Sequence, residues 1–173
     1  AALLALCVPA TAQRDQPPQM QWQRTVADAR AISNQRGLPM LICVNQDKEP
    51  FCERFAWDQY RSPTFGQLAR GFVCVIVSPD RHNQQDHDDR GRRIPCPRFG
   101  TVTCGEHMAA DGDAYDAYFS GRRVAPRHIG VAPGGADGGT QLFDRFLESS
   151  MRGVTKSLRE HGGTPPQPPG QRP

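Results

Sequence analysis

Two stretches of the chain are apolar without interruption, Met40-Leu41-Ile42-Cys43-Val44 and Phe72-Val73-Cys74-Val75-Ile76-Val77. Short runs of this kind, rich in β-branched residues and lacking any polar alternation, predict strands covered on both faces. Ahead of the first, and after Trp22, Val26, Ala29 and Ile32 or Ser33 recur at helical spacing. Thr25 and Asp28 can act as a capping pair for that helix, and Gly37 followed by Pro39 supplies a stop. Between the two strands a helix is expected from about Cys52 to Tyr60. Ser62-Pro63 then starts another, with serine as N-cap and proline at the first helical position, and Gly71 closes it.

From Ser78 to Arg123 the periodicity breaks down. Asp80 to Arg93 is charged and amide-rich and reads as a solvated loop, and Ile94 to His107 is punctuated by Pro95, Pro97, Gly100 and Gly105. A structureless stretch of this length inside a small domain is usually a functional insertion or a stapled loop. Tyr115, Tyr118 and Phe119 are expected to anchor it to the core. Regular order returns with Val124 to Val131, a strand with Pro126 near its start, which argues for an edge or special position. A turn at Gly134 to Gly139, a strand from Thr140 to Phe146 and a last helix around Ser150 to His161 follow. Met151, Val154 and Leu158 share one face of that helix, and Gly162 ends it. The predicted order is α-β-α-(α)-β-insertion-β-β-α.

Composition changes this picture mainly at the ends. Hydrophobic residues make up 37% of the 173, while 17 glycines and 16 prolines lower the capacity to form a core. The length suits one domain. Gly162 to Pro173 reads as a disordered Pro/Gly-rich tail. Residues 1–12 read as the remnant of an export signal. A short apolar run leads to Ala10-Thr11-Ala12, a small-residue cleavage pattern, and is too brief to cross a bilayer. Residues 13–21 form a polar lead-in. A net charge of +3, with both signs interspersed, gives no nucleic-acid footprint, and no membrane association is expected once the signal is removed.

Five cysteines would remain after cleavage: Cys43, Cys52, Cys74, Cys96 and Cys104. An exported compartment permits disulfides, and an odd number leaves one thiol over. Cys43 and Cys74 lie in the strand runs, where cysteine acts as a small hydrophobe. Cys96 and Cys104 share the polar, Gly/Pro-punctuated segment and are expected to pair, a staple worth up to about 3 kcal/mol. The same segment allows a second reading. Cys104-x-x-His107 has a spacing that can chelate zinc or copper, with Cys52 as a possible further ligand and His82 and His87 in the preceding loop. No cofactor is otherwise indicated, because no phosphate loop, Ser-His-Asp order or carboxylate pair stands out. Asp86-His87-Asp88-Asp89 lacks the glycine and terminal glutamate of a calcium loop. His128 reads as a strand residue.

The order of elements, with Trp22, Gly37-Leu38-Pro39, Cys52, Ser62-Pro63, Phe72-Val73, Val124-Ala125-Pro126 and Gly134-Gly135 as punctuation, resembles a bacterial exported thioredoxin-like protein. The resemblance covers about Trp22 to His161, leaving out most of Ser78 to Arg123. It implies an α/β thioredoxin-like three-layer sandwich, a central mixed sheet flanked by helices, with a domain spanning 22–161 and an insertion at about 78–123. It makes Glu49-Pro50-Phe51-Cys52 the counterpart of the family's Cys-x-x-Cys, with Glu49 in the first cysteine's place and Cys52 in the second. It also makes Pro126 the cis-proline facing that helix start, with the backbone of Ala125 pairing with an extended substrate segment.

A dithiol site works because amide dipoles and the neighbouring thiol stabilise an exposed thiolate. Glu49 can cap the helix in its own right, but its charge disfavours a thiolate on Cys52. The leading expectation is therefore an exported thioredoxin-like domain without dithiol cycling. It would bind a protein or extended peptide around Glu49, Cys52, Ala125 and Pro126. The rivals are a thiol-disulfide oxidoreductase in which catalytic Cys52 works with Cys96 or Cys104, and a metal carrier using Cys104 and His107.

Overall fold

The computed structural model describes residues 17–119, 123–134 and 139–164. The signal-like segment 1–12, the start of the lead-in, residues 120–122, the centre of the Gly134–Gly139 turn and residues 165–173 lie outside them. The elements in chain order are α1 (Val26–Arg36), β1 (Met40–Val44), α2 (Pro50–Arg54) continued by a π-helical turn (Phe55–Gln59), α3 (Pro63–Ala69), β2 (Val73–Val77), α4 (Cys104–Tyr118), β3 (Arg127–Val131), β4 (Gln141–Phe146) and α5 (Glu148–His161). The strands form one sheet in the order β2-β1-β3-β4. β1 and β2 run parallel, while β3 is antiparallel to both β1 and β4.

The period of two along a strand divides the apolar runs between two cores. Met40, Ile42, Val44, Val73, Val75 and Val77 face one side, where they join Val26 and Ala29 of α1 and Ala110 and Ala114 of α4. Leu41, Cys43, Cys74 and Ile76 face the other, against Phe55 and Tyr60, Phe65 of α3, and Val154 and Leu158 of α5. Helices on both faces make three layers and explain why β1 and β2 carry no polar position. Each fully buried Leu, Ile or Phe contributes about 1.5–3 kcal/mol relative to exposure. Gly130 in β3 lets the Phe143 ring of β4 lie flat across the backbone, where a Cβ would collide with the ring.

Four expectations change. The 78–123 segment is not structureless, because α4 occupies 15 of its residues. Thr103 and Glu106 start that helix with a complete capping box. Its buried positions are Cys104, His107, Ala110, Asp111 and Ala114, a helical stripe in which polar residues stand where leucines would advertise it. The polar lead-in is not wholly outside the domain, since Met20 is buried in the core and Gln19 N–H donates to the Tyr60 carbonyl. The tail begins later than Gly162, because Gly163 N–H donates to the Gly71 carbonyl and Gly162 packs on Phe72. Finally, of the edge or special position that Pro126 suggested, the edge is excluded and the special position, a cis bond after Ala125, is found. Pro126 directly precedes β3, an interior strand, so its missing N–H falls outside the ladder.

Candidate functional site

Two cysteine-bearing places deserve comparison, and both lie at the start of a helix. At α2, Glu49 is the N-cap and Pro50 the first helical residue. The Glu49 carboxylate accepts the Cys52 backbone N–H at 2.6 Å, which occupies the helix's free amide with a fixed anion. Asn45 donates its side-chain N–H to the Cys52 carbonyl at 3.0 Å. Cys52 itself is fully buried, in the apolar cluster that holds Val44, Ile129 and Ala125. Burial raises its thiol pKa strongly, and the Glu49 side chain adds to this against the weaker opposing effect of the Gln46 amide. The sulfur is thus held neutral.

Pro126 follows Ala125 through a cis peptide bond, and its carbonyl accepts the Leu147 N–H at 2.9 Å. Val44 is paired with Arg127, and Arg127 with Phe146, so the ends of β1, β3 and β4 share one rim of the sheet with the loop leading to Glu49. Phe146 and Leu147 on this rim are 49% and 46% exposed. Behind it, the buried His128 places Nε2 2.9 Å from the Tyr60 hydroxyl and stacks at 4.2 Å on Phe55. Burial lowers the His128 pKa to about 3, so it is a neutral packing residue.

The second place is the start of α4. Cys104 and His107 stand one turn apart, and the 78–103 loop brings His82 and Cys96 to them. One ligand atom from each of the four residues lies within 4.8 Å of all the others. His82 Nε2 is 3.0 Å from the Asp47 carboxylate, and His107 Nδ1 is 3.1 Å from the Ser78 carbonyl. Neither partner can donate, so each of these nitrogens carries the hydrogen and the other ring nitrogen of each imidazole keeps a lone pair. For His82 that is Nδ1, 3.3 Å from Cys96 Sγ. For His107 it is Nε2, which is buried and has no hydrogen-bond partner. The Cys104 sulfur accepts the backbone N–H groups of His82 and Asn83, each at 3.3 Å. Burial pushes the Cys96 thiol up to about 12, against the pull of the Phe99 and Arg98 amides. The Phe99 ring meets both imidazoles edge-on, 5.4 Å from His82 and 5.0 Å from His107.

A buried arginine ties the two places together. Arg98, four per cent exposed, spans Asn45 Oδ1 with Nε and Nη2 at 3.1 and 2.9 Å, and reaches Glu53 Oε2 with Nη1 at 3.0 Å. The same Nη1 lies 3.5 Å from Asp47, the carboxylate that holds His82. Burial opposes ionisation of Glu53, but the hydrogen bond and charge of Arg98 prevail and lower its pKa.

The Cys96–Cys104 staple expected from spacing is not formed: both are free, buried thiols, and their sulfurs lie side by side in one group with the two imidazoles. Cys52 joins neither of them, since Cys96 and Cys104 pack in the opposite core. Asp47 and Arg98 were not legible as site residues, and His82 was legible only as one of two histidines in the preceding loop. His82 is separated from its partners by the polar loop, and only the Cys104-x-x-His107 pair carried a local signal. Asp86, in the acidic run, accepts the Gly105 N–H at 2.8 Å, and Arg123 pairs with Asp111.

No protein-family model and no curated protein matches the chain. Among solved structures it is similar to a thioredoxin from Thermus thermophilus, known from a solution structure, at 16% identity and a TM-score of 0.52, over 82% of this chain and 86% of that one. It is also similar to a DsbH oxidoreductase at 16% identity and a TM-score of 0.51, over 92% of this chain and 95% of that one. The fold is thioredoxin-like.

Proposed function

We propose that this chain is an exported thioredoxin-like domain that has given up dithiol exchange and uses the rim around Glu49, Cys52, Ala125 and Pro126 to bind a protein or an extended peptide. The observation that carries the reading is the Glu49 carboxylate on the Cys52 amide. A group that would have to ionise and attack is buried, and the position that would expose a nucleophile holds a capping anion instead. The exposed apolar pair Phe146 and Leu147 beside Pro126 favours the rim as a contact surface. The small-residue pattern at Ala10 to Ala12 supports export.

Insulin reduction tests the loss of exchange, with no turnover expected. Turnover that vanishes in Cys52→Ser would overturn the reading and restore the oxidoreductase rival. Binding is tested by fluorescence anisotropy with labelled extended peptides that carry apolar side chains. Phe146→Asp is expected to weaken binding at least tenfold. Peptides that bind equally well to this variant place the contact elsewhere.

A further inference from the structure

We infer that His82, Cys96, Cys104 and His107 form a closed zinc site that fastens the 78–103 loop to the start of α4. This goes beyond the binding function of the rim and does not depend on it.

The donor set comes first. Two thiols and two imidazoles with mutually adjacent ligand atoms form an S2N2 group, the composition and number that tetrahedral zinc takes in structural sites. Three of the four are buried, and His82 is only 11% exposed at its side chain, which leaves no open face for a substrate. On binding, Cys96 and Cys104 each lose a proton to solvent and the two thiolates balance the dication, so the buried centre is neutral.

The surroundings are those that ligands need. Each imidazole has its outer nitrogen hydrogen-bonded to an acceptor, Asp47 for His82 and Ser78 for His107, which sets the tautomer and turns the inner lone pair toward the centre. The amides of His82 and Asn83 already point at the Cys104 sulfur, and those of Arg98 and Phe99 act on the Cys96 sulfur. Donors of this kind steady a thiolate. The buried, unpartnered Nε2 of His107 is the observation least compatible with a site that holds nothing, because an orphaned polar atom in a core is costly. The loop offers an independent reason. It runs from Ser78 to Thr103 with an isolated bridge between His87 and Arg93 and is otherwise held by side-chain and turn hydrogen bonds, so a four-ligand centre would add a cross-link where no regular element supplies one.

The full chain, purified without chelator, is expected to carry close to one zinc per molecule by inductively coupled plasma mass spectrometry. Exchange into cobalt should give the intense visible bands of a tetrahedral ion together with thiolate charge transfer. This readout identifies the donors without any mutation and so survives variants that fail to fold. Zinc affinity, measured by chelator competition, should fall more than a hundredfold in His107→Ala and Cys96→Ser and stay unchanged in Cys74→Ala. Asp47→Asn, at a residue that orients His82 and is not itself a ligand, should cost ten- to a hundredfold. Four results would each overturn the inference: a Cys96–Cys104 disulfide in the purified protein, a cobalt spectrum of octahedral type, copper held in preference to zinc, or zinc content indifferent to both ligand variants.

Discussion

Cys52 and Cys104 both open helices, yet the fold treats them in opposite ways. At α2 the helix's free amide is taken by Glu49, and the sulfur is turned into an apolar core beside Ala125 and Ile129. At α4 the free amides are likewise met by carboxylates, Glu106 on Thr103 and Asp86 on Gly105, but the sulfur is turned toward imidazoles and backbone amides. What differs is the company each sulfur keeps, one hydrocarbon, the other backbone donors and imidazoles. The sulfurs with ligand-like neighbours therefore lie at the start of α4, whereas the sulfur at α2 lies among hydrocarbon.

That contrast can be broken most forcefully at Arg98, which serves both places. Arg98→Ala should destabilise the protein by about 3 kcal/mol in urea unfolding, the low end for breaking a buried charged pair because Glu53 keeps some solvent. A loss below 1 kcal/mol would mean that the two places are independent. Gly105→Ala should act on the insertion alone. Its methyl group would collide with the Asp86 carboxylate that holds the start of α4, costing about 2 kcal/mol by overpacking. Full stability in that variant would show the helix start to be loosely held.

His128 sharpens the comparison from behind the α2 side. Its folded pKa, about 3, lies below the ordinary 6.5, so the unfolded chain binds the extra proton. The stability it contributes is complete above about pH 6.5 and is lost as pH falls toward 3, at up to about 1.4 kcal/mol per pH unit. His128→Gln should flatten unfolding free energy against pH across that window, and an unchanged slope would contradict its burial as the neutral form. Smaller still is the cap. Glu49→Ala should cost about 1 kcal/mol while raising Cys52 reactivity toward a thiol reagent only slightly, because burial is the larger restraint. Glu49→Cys asks the converse question. It should gain a disulfide with Cys52 under mild oxidation, visible as the loss of a thiol pair on titration, and failure to oxidise would argue that the helix start cannot present a nucleophile at all.

Most of the architecture was legible because it is written in local chemistry. The apolar runs at Met40 and Val73, the serine and proline before α3 and the Gly37 stop all appear where the sequence places them. α4 was not legible, although its Thr103 and Glu106 capping pair is a sequence signal, because its inward face is built of Cys, His and Asp. The Glu49 cap could be read from one position and its neighbours. Cys96, Cys104 and His107 could be read as a cluster of soft ligands with His82 in the loop before them, but not their assembly into one group, since that depends on how an irregular loop folds back and on acceptors from Asp47 and Ser78 that lie elsewhere in the chain.

The indoles supply an optical gauge for each region. Trp22 is nearly buried, sits edge-on to Tyr60 and donates its N–H to the Phe99 carbonyl at 2.9 Å, so its emission is tied to the 96–103 turn. Trp57 donates to Glu53 at 2.9 Å beneath the Arg61 guanidinium, and so belongs to the other helix start. Replacing either by phenylalanine leaves a single fluorophore. Under the zinc proposal, chelation would then show as a red shift in the variant that keeps Trp22 and as no shift in the one that keeps Trp57, so the pair of variants would follow the two halves of the molecule separately.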